Sequence, residues 1–384
     1  MANRGGRGTA KQRAQERERQ RRRATGATRE PGPEAFGFKL PPKARPGERQ
    51  QRPDFSEANW DALQKAYPRD AKRLKRAMYI AFVGERAAKA HAFMDWGLRP
   101  NPIEDDSRFA HDDAAVTLED QSSLISSTAR YPTMNASEHL VAAAEVISFA
   151  MTKGQTRTSA VAASCRIAME SSAKTIWLIS ETDTEERLRR CYGFTKAERG
   201  WQEKFDQLEE ETLSTRTDPL AEAQRKKFGE HREKFAKRIT EINTLPPNAR
   251  TPPPGPMEIV GEAADWMDEN LPRNPDPELD KVIHPRGSKS FYSLGSGFVH
   301  GFKWMSDYMF DPSGKTLDDS GLLEVTLDAF EHAIRMTECA VALFEAQSVG
   351  LHPDPKRVRN YPAGLAPTVA KWAPRYRIAE IQGE

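Results

Sequence analysis

From Ser56 to Ser348 the large apolar residues recur three and four positions apart and show no strand-like alternation, which commits the chain to helices packed on helices. The punctuation agrees with that period. Ser56 reads as an N-cap for a helix over 57–67 that Pro68 breaks, and a second helix follows over 69–96 with Leu74, Met78, Ala81, Phe82 and Ala88 on one stripe. Residues 101–113 read as a solvated acidic loop. Asn135 with Glu138 has the form of a capping box opening a helix that stops near Gly154. The helix over 157–180 is the most apolar in the chain.

A long antiparallel hairpin is expected over 184–245. Asp183 with Glu186 caps its first arm, Asp218 and Pro219 open its second, and the link between them is too short for any other arrangement. Trp201, Phe205 and Leu208 are expected to face Phe228, Phe235, Ile239 and Ile242 across it. Proline makes residues 245–256 and the stretch from Asn274 to Ser288 connections, because it donates no hydrogen bond and restricts its predecessor. They flank a short helix over 257–270. Further helices are expected over 291–309 and 316–348, with Gly350 as a stop. The resulting fold class is an all-α helical bundle over 54–350, with the hairpin protruding from it.

Both ends depart from this pattern. Residues 1–53 carry 15 Lys plus Arg against 5 Glu, a net of +10; since the whole chain is +2, residues 54–384 carry −8 (2 − 10). With almost no large apolar residues, the arm cannot offset its ordering entropy and reads as disordered, with nucleic acid as the partner its charge suits. Residues 351–384 form a basic tail in which Tyr361, Trp372 and Tyr376 are interleaved with cations. That pattern fits either stacking on single-stranded bases or docking on the chain's own bundle. The hairpin is the expected contact for a protein partner. Three cysteines without CxxC spacing argue against a disulfide framework and a zinc site, and no run reaches the roughly 20 apolar residues of a membrane span. The reading is cytoplasmic, with no membrane contact, no metal and no cofactor.

Chemistry concentrates in three groups. Arg166 and Glu170 share a helix face with Trp177; Arg187 and Arg190 lie one helix later; Ser296 and His300 sit among Gly295, Gly297 and Gly301. An isolated buried charge costs several kcal/mol, on the order of 3–5, so Arg166 and Glu170 are expected to pair with each other or with groups on another helix, Glu170 being also a candidate carboxylate for Arg187 or Arg190. Two uses compete. In one, His300 is a general acid/base oriented by Ser296, Glu170 completes the catalytic set, and Arg166, Arg187 and Arg190 hold phosphate. In the other, the network is hydrogen-bonded core.

The order Arg166-xxx-Glu170 with Trp177-Leu178, then Arg187-xx-Arg190, then Tyr292-xxx-Ser296-xxx-His300-Gly301 resembles an uncharacterised family of all-helical bacterial proteins of actinobacterial type. The likeness covers residues 137–347. Such proteins are similar in outline to HEPN helical bundles, many of which bind or cleave RNA in toxin or defence systems. The resemblance thus implies an RNA-associated protein of a defence or stress type, with ribonuclease activity at the His300 centre as its catalytic form; the alternative is a non-catalytic scaffold or adaptor. HEPN ribonucleases place Arg four to six residues before His, and His300 has no such Arg. Arg86 with His91 and Arg225 with His231 have the spacing, but about two matches arise by chance at this Arg and His content.

Overall fold

The computed structural model describes residues 65–118, 121–271, 287–310, 314, 316–353 and 355–377. The basic arm over residues 1–53 and the helix expected over 57–67, except its last residues, lie outside them. By contact the chain divides into Met1–Pro68 and Arg69–Glu384, and the second unit carries the fold. It is all-α: among the described residues the only β pairing is an isolated bridge between Phe310 and Leu317.

The helices are α1 Pro68–His91, α2 Met94–Leu98, α3 Arg108–Ala114, α4 Leu124–Thr152, α5 Thr158–Ile179, α6 Thr184–Thr215, α7 Ala221–Thr244, α8 Pro256–Asn270, α9 Ser288–His300, α10 Asp319–Ser348 and α11 Ala366–Tyr376. A short helical turn, Ser306–Met309, lies between α9 and α10. α5 is the hub, packed on α4, α8, α9 and α10. Its small residues Ala162, Ala168, Ser171, Ser172 and Ala173 are all buried, and they let those neighbours approach closely. The second half of α10 is buried all round from Cys339 to Ser348, as befits a helix enclosed on every side.

Several boundaries differ from the sequence reading. α4 begins at Leu124, eleven residues before the expected cap, and runs through Pro132. Asn135 is mid-helix and donates to Ser171 Oγ across to α5 at 2.8 Å, so its polar side chain serves packing rather than capping. The helix expected over 69–96 is interrupted at residues 92–93, between α1 and α2. The helix expected over 291–309 ends at His300, where Gly301 takes φ +64° and the Phe302 amide returns to the Gly297 carbonyl.

The tail belongs to the bundle. α11 packs on α10, Trp372 and Tyr376 are buried, Trp372 meets Trp266 edge to face, and the Tyr376 hydroxyl donates to the Ser180 carbonyl at 2.8 Å. Buried rings cannot stack on bases, so of the two uses read for this segment the structure has docking.

The hairpin forms from α6 and α7 with a seam other than the one expected. Asp206 is fully buried there, with His231 Nε2 at 3.3 Å and Arg232 at 3.6 Å, while Phe235 and Ile242 supply buried apolar contacts from α7. Trp201, Phe205 and Leu208 point outward, 71%, 62% and 64% exposed. The stripe is helical in period, as read; it faces the other way.

Candidate functional site

The groups singled out in the sequence separate into two clusters. The first joins α5 to α9. Four-residue spacing puts Arg166, Glu170 and Lys174 on one face of α5, and Glu170 bridges both cations, at 3.1 Å to Arg166 and 3.0 Å to Lys174. From α9, Tyr292 accepts from Arg166 Nη2 at 2.7 Å and donates to Glu170 Oε2 at 3.2 Å. Ser296 accepts from Arg166 Nε at 3.0 Å and donates to the Tyr292 carbonyl. The guanidinium also lies 4.5 Å from the centre of the Tyr292 ring. Gly295 is required for this approach, since a Cβ there would stand 2.8 Å from Arg166 Cβ. Burial, then the nearby Glu170 charge, pushes the Tyr292 hydroxyl up to about 12, so it stays a donor at any physiological pH.

His300 is not part of this cluster. It is exposed at the end of α9 with its ring stacked on Phe302, and the Ser296 hydroxyl expected to orient it is committed to Arg166 and Tyr292. One turn of helix separates the two residues, but Gly301 ends α9 and sends the following chain past His300 on the outside.

Arg187 and Arg190 form the second cluster, apart from Glu170. Arg187 is completely buried, paired with Asp112 at 2.7 Å and donating to the Ile179 and Glu181 carbonyls at 2.8 and 3.2 Å. Burial pulls its pKa down while Asp112 holds it up. Asp112 also takes Arg108 Nε at 2.9 Å and the Thr184 hydroxyl at 3.1 Å. Arg190 closes the C-terminal end of α5: it donates to the Trp177 carbonyl at 2.7 Å, pairs with Glu186 and Glu181, and lies 5.2 Å from the Trp177 ring. The two arginines are held by groups from α3, α5, α6 and the link between α5 and α6, with no face left to grip a phosphate.

Sequence reading missed four carboxylates. Asp112 belongs to a segment read as a solvated loop, yet it is fully buried; its spacing of four from Arg108 is the one signal that pointed inward. Glu104 and Asp106, in the same loop, accept from the Gly350, Leu351 and His352 amides and fasten the turn after α10. Glu345, hidden in the most apolar part of α10, accepts from Trp96 Nε1 at 2.7 Å and Asn101 Nδ2 at 2.9 Å and pairs with Arg357 at 3.2 Å. No local pattern announces partners so distant in sequence.

The chemistry available is therefore narrow. Burial pushes the Cys165, Cys191 and Cys339 thiols up, Cys191 to about 12, far from the thiolate a nucleophile needs. Among the described residues no group of three or more His, Cys, Asp and Glu could hold a metal ion, and no helix is long and apolar enough to cross a membrane. The Arg166 cluster is a charge-compensated lock between two helices, and the Arg187 cluster a second lock between α3, α5 and α6. No family model matches the chain, and neither the curated proteins nor the solved structures include a significant match.

Proposed function

We propose that this chain is a non-catalytic helical adaptor that receives a protein partner along α6 of its hairpin, with the +10 arm over residues 1–53 as a tether to nucleic acid. One observation carries the reading: Trp201, Phe205 and Leu208 form an exposed stripe at helical spacing while the hairpin seam beneath takes a carboxylate instead. Three large apolar side chains in water on one helix face are costly to keep for solubility and useful for association. The RNA-cleaving alternative needs a histidine beside the cations. His300 stands outside their network, which favours the adaptor.

Total cellular RNA incubated with the wild type, His300→Ala and Arg166→Ala, with a thermal melt of each, tests the reading. The expected result is intact RNA in all three, an unchanged melt for His300→Ala and an early melt for Arg166→Ala. Cleavage that disappears in a fully folded His300→Ala protein would sink the adaptor reading. A second arm replaces Trp201, Phe205 and Leu208 together by Ser: none of the three belongs to a buried cluster among the described residues, so the variant is expected to keep wild-type stability within about 0.5 kcal/mol.

A further inference from the structure

The stripe on α6 has a sign as well as a shape. Glu198, Glu209 and Glu211 border it within one turn on either edge, against a single cation, Lys204, so its rim carries −2 (1 − 3). Lys204 lies over the stripe itself, its ammonium 4.4 Å from the exposed Trp201 ring, and none of the three carboxylates is in a salt bridge among the described residues. Glu198 feels Lys174 and Arg199, and Glu209 feels Arg216, from beyond salt-bridge distance; an apolar stripe edged by carboxylates without ion-pair partners is complementary to an apolar stripe between cations.

Resting on the adaptor reading, we infer that the occupant is a basic amphipathic helix, with apolar residues at i, i+3 or i+4 and i+7 and Lys or Arg on both edges. Exposures of 71%, 62% and 64% present roughly 400 Å² of apolar surface, taking 150–250 Å² for each large side chain. A contact confined to this stripe buries about 800 Å² in total whichever helix covers it, short of the ~1,200 Å² at which stable interfaces begin, so association through it is reversible. A second copy of this chain fits less well because of its charge. The rim repels itself. In an antiparallel pair the two-fold axis sets Glu198 of one α6 beside Glu209 of the other, and in a parallel pair Glu209 meets Glu211. A basic helix laid along α6 meets the same rim with the opposite charge.

The test uses the full chain and two labelled 18-residue helical peptides of identical pattern, one of Leu and Lys and one of Leu and Glu, read by fluorescence anisotropy. Because residues 1–53 attract anions, only binding lost in Trp201→Ser/Phe205→Ser/Leu208→Ser counts; that variant leaves every charge in place. The Leu/Lys peptide is expected to bind, to weaken at least tenfold in the Ser variant, and to weaken severalfold with a flatter salt dependence in Glu198→Gln/Glu209→Gln/Glu211→Gln. Leu/Lys binding unmoved by the Ser variant overturns the inference, since attraction is then Coulombic and the stripe idle. Equal stripe-dependent binding of the Leu/Glu peptide overturns the basic occupant but leaves the adaptor standing. No stripe-dependent binding of either peptide overturns both, and a dimer by light scattering that the Ser variant abolishes assigns the face to a second copy.

Discussion

Asp112 in the bundle and Asp206 in the hairpin are both fully buried carboxylates, yet their surroundings are built in opposite ways. Asp112 is held by Arg108, Arg187 and Thr184, and Arg187 is itself completely enclosed beneath Phe109. Asp206 has only His231 and Arg232, whose side chains are 47% and 34% exposed, and its Oδ2 makes no hydrogen bond. Around Asp112 the apolar residues close in; around Asp206 they turn outward. Neither network is complete, since Nε and Nη2 of Arg187 also lack a formed hydrogen bond, but a charge inside several layers of helix must be matched by an opposite charge because water cannot return to it. In a two-helix hairpin every seam position lies one side chain from solvent, so a partly satisfied carboxylate survives and the apolar stripe is free to face out.

The comparison breaks most visibly at Asp112. Asp112→Ala strands the buried guanidinium of Arg187, and the expected loss is about 3–5 kcal/mol in urea unfolding. A loss below about 1 kcal/mol would mean that Arg187 finds other partners or water, and the contrast between the two regions would collapse. The joint between the regions comes next. A Cβ on Gly193 would run into the Thr251 carbonyl, part of the segment that returns from the hairpin to α6 through the Thr251 amide and the Arg189 carbonyl. Backbone cannot step aside like a flexible side chain, so Gly193→Ala is expected to cost about 1–3 kcal/mol. A wild-type melt for that variant would show that the joint yields.

The hairpin predicts a smaller number for the same chemistry. Asp206→Ala frees His231 and Arg232 to hydrate, and its cost is expected near 1.5–2 kcal/mol, the low end for a hydrogen bond to a charged group. Equal losses at Asp112 and Asp206 would argue that burial of the carboxylate, not enclosure of its partner, sets the energy.

How far the sequence could be read follows the same division. Helical period and Pro or Gly punctuation predicted the helices and the hairpin because those signals are local. The pairing of Arg166 with Glu170 was legible for that reason, four residues apart on one face. Asp112 with Arg187 and Glu345 with Trp96, Asn101 and Arg357 were not, because their partners meet only after the bundle has closed. The hairpin stripe shows the other limit: period finds an apolar face but not its direction, and Asp206 took the inward place assigned to Phe205. His300 was misplaced for a local reason. The left-handed turn at Gly301 ended its helix nine residues early (309 − 300), leaving the ring outside.

The smallest effect concerns a carboxylate intermediate between these extremes. Asp328 lies on the outer side of α10, with Glu324 and Glu331 one turn away on the same helix and Tyr79 facing it from α1; Arg86 of α1 is occupied by Glu331. Partial burial, then the charges of Glu324 and Glu331, raises its pKa from 3.8 to about 6. A carboxyl whose folded pKa is raised binds its proton more tightly when folded. Its contribution to stability is therefore complete below about pH 4 and is lost as pH climbs through 6. Asp328→Asn removes that loss. Its melting curve should lie above wild type at pH 7–8 and meet it as pH falls toward 4, the gap staying under about 1 kcal/mol because solvent screens an exposed side chain. Melts of both proteins across pH 4–8 decide the matter. If the two profiles run parallel, the neighbouring carboxylates do not act on Asp328, and it behaves as an ordinary surface group with no place between the two buried ones.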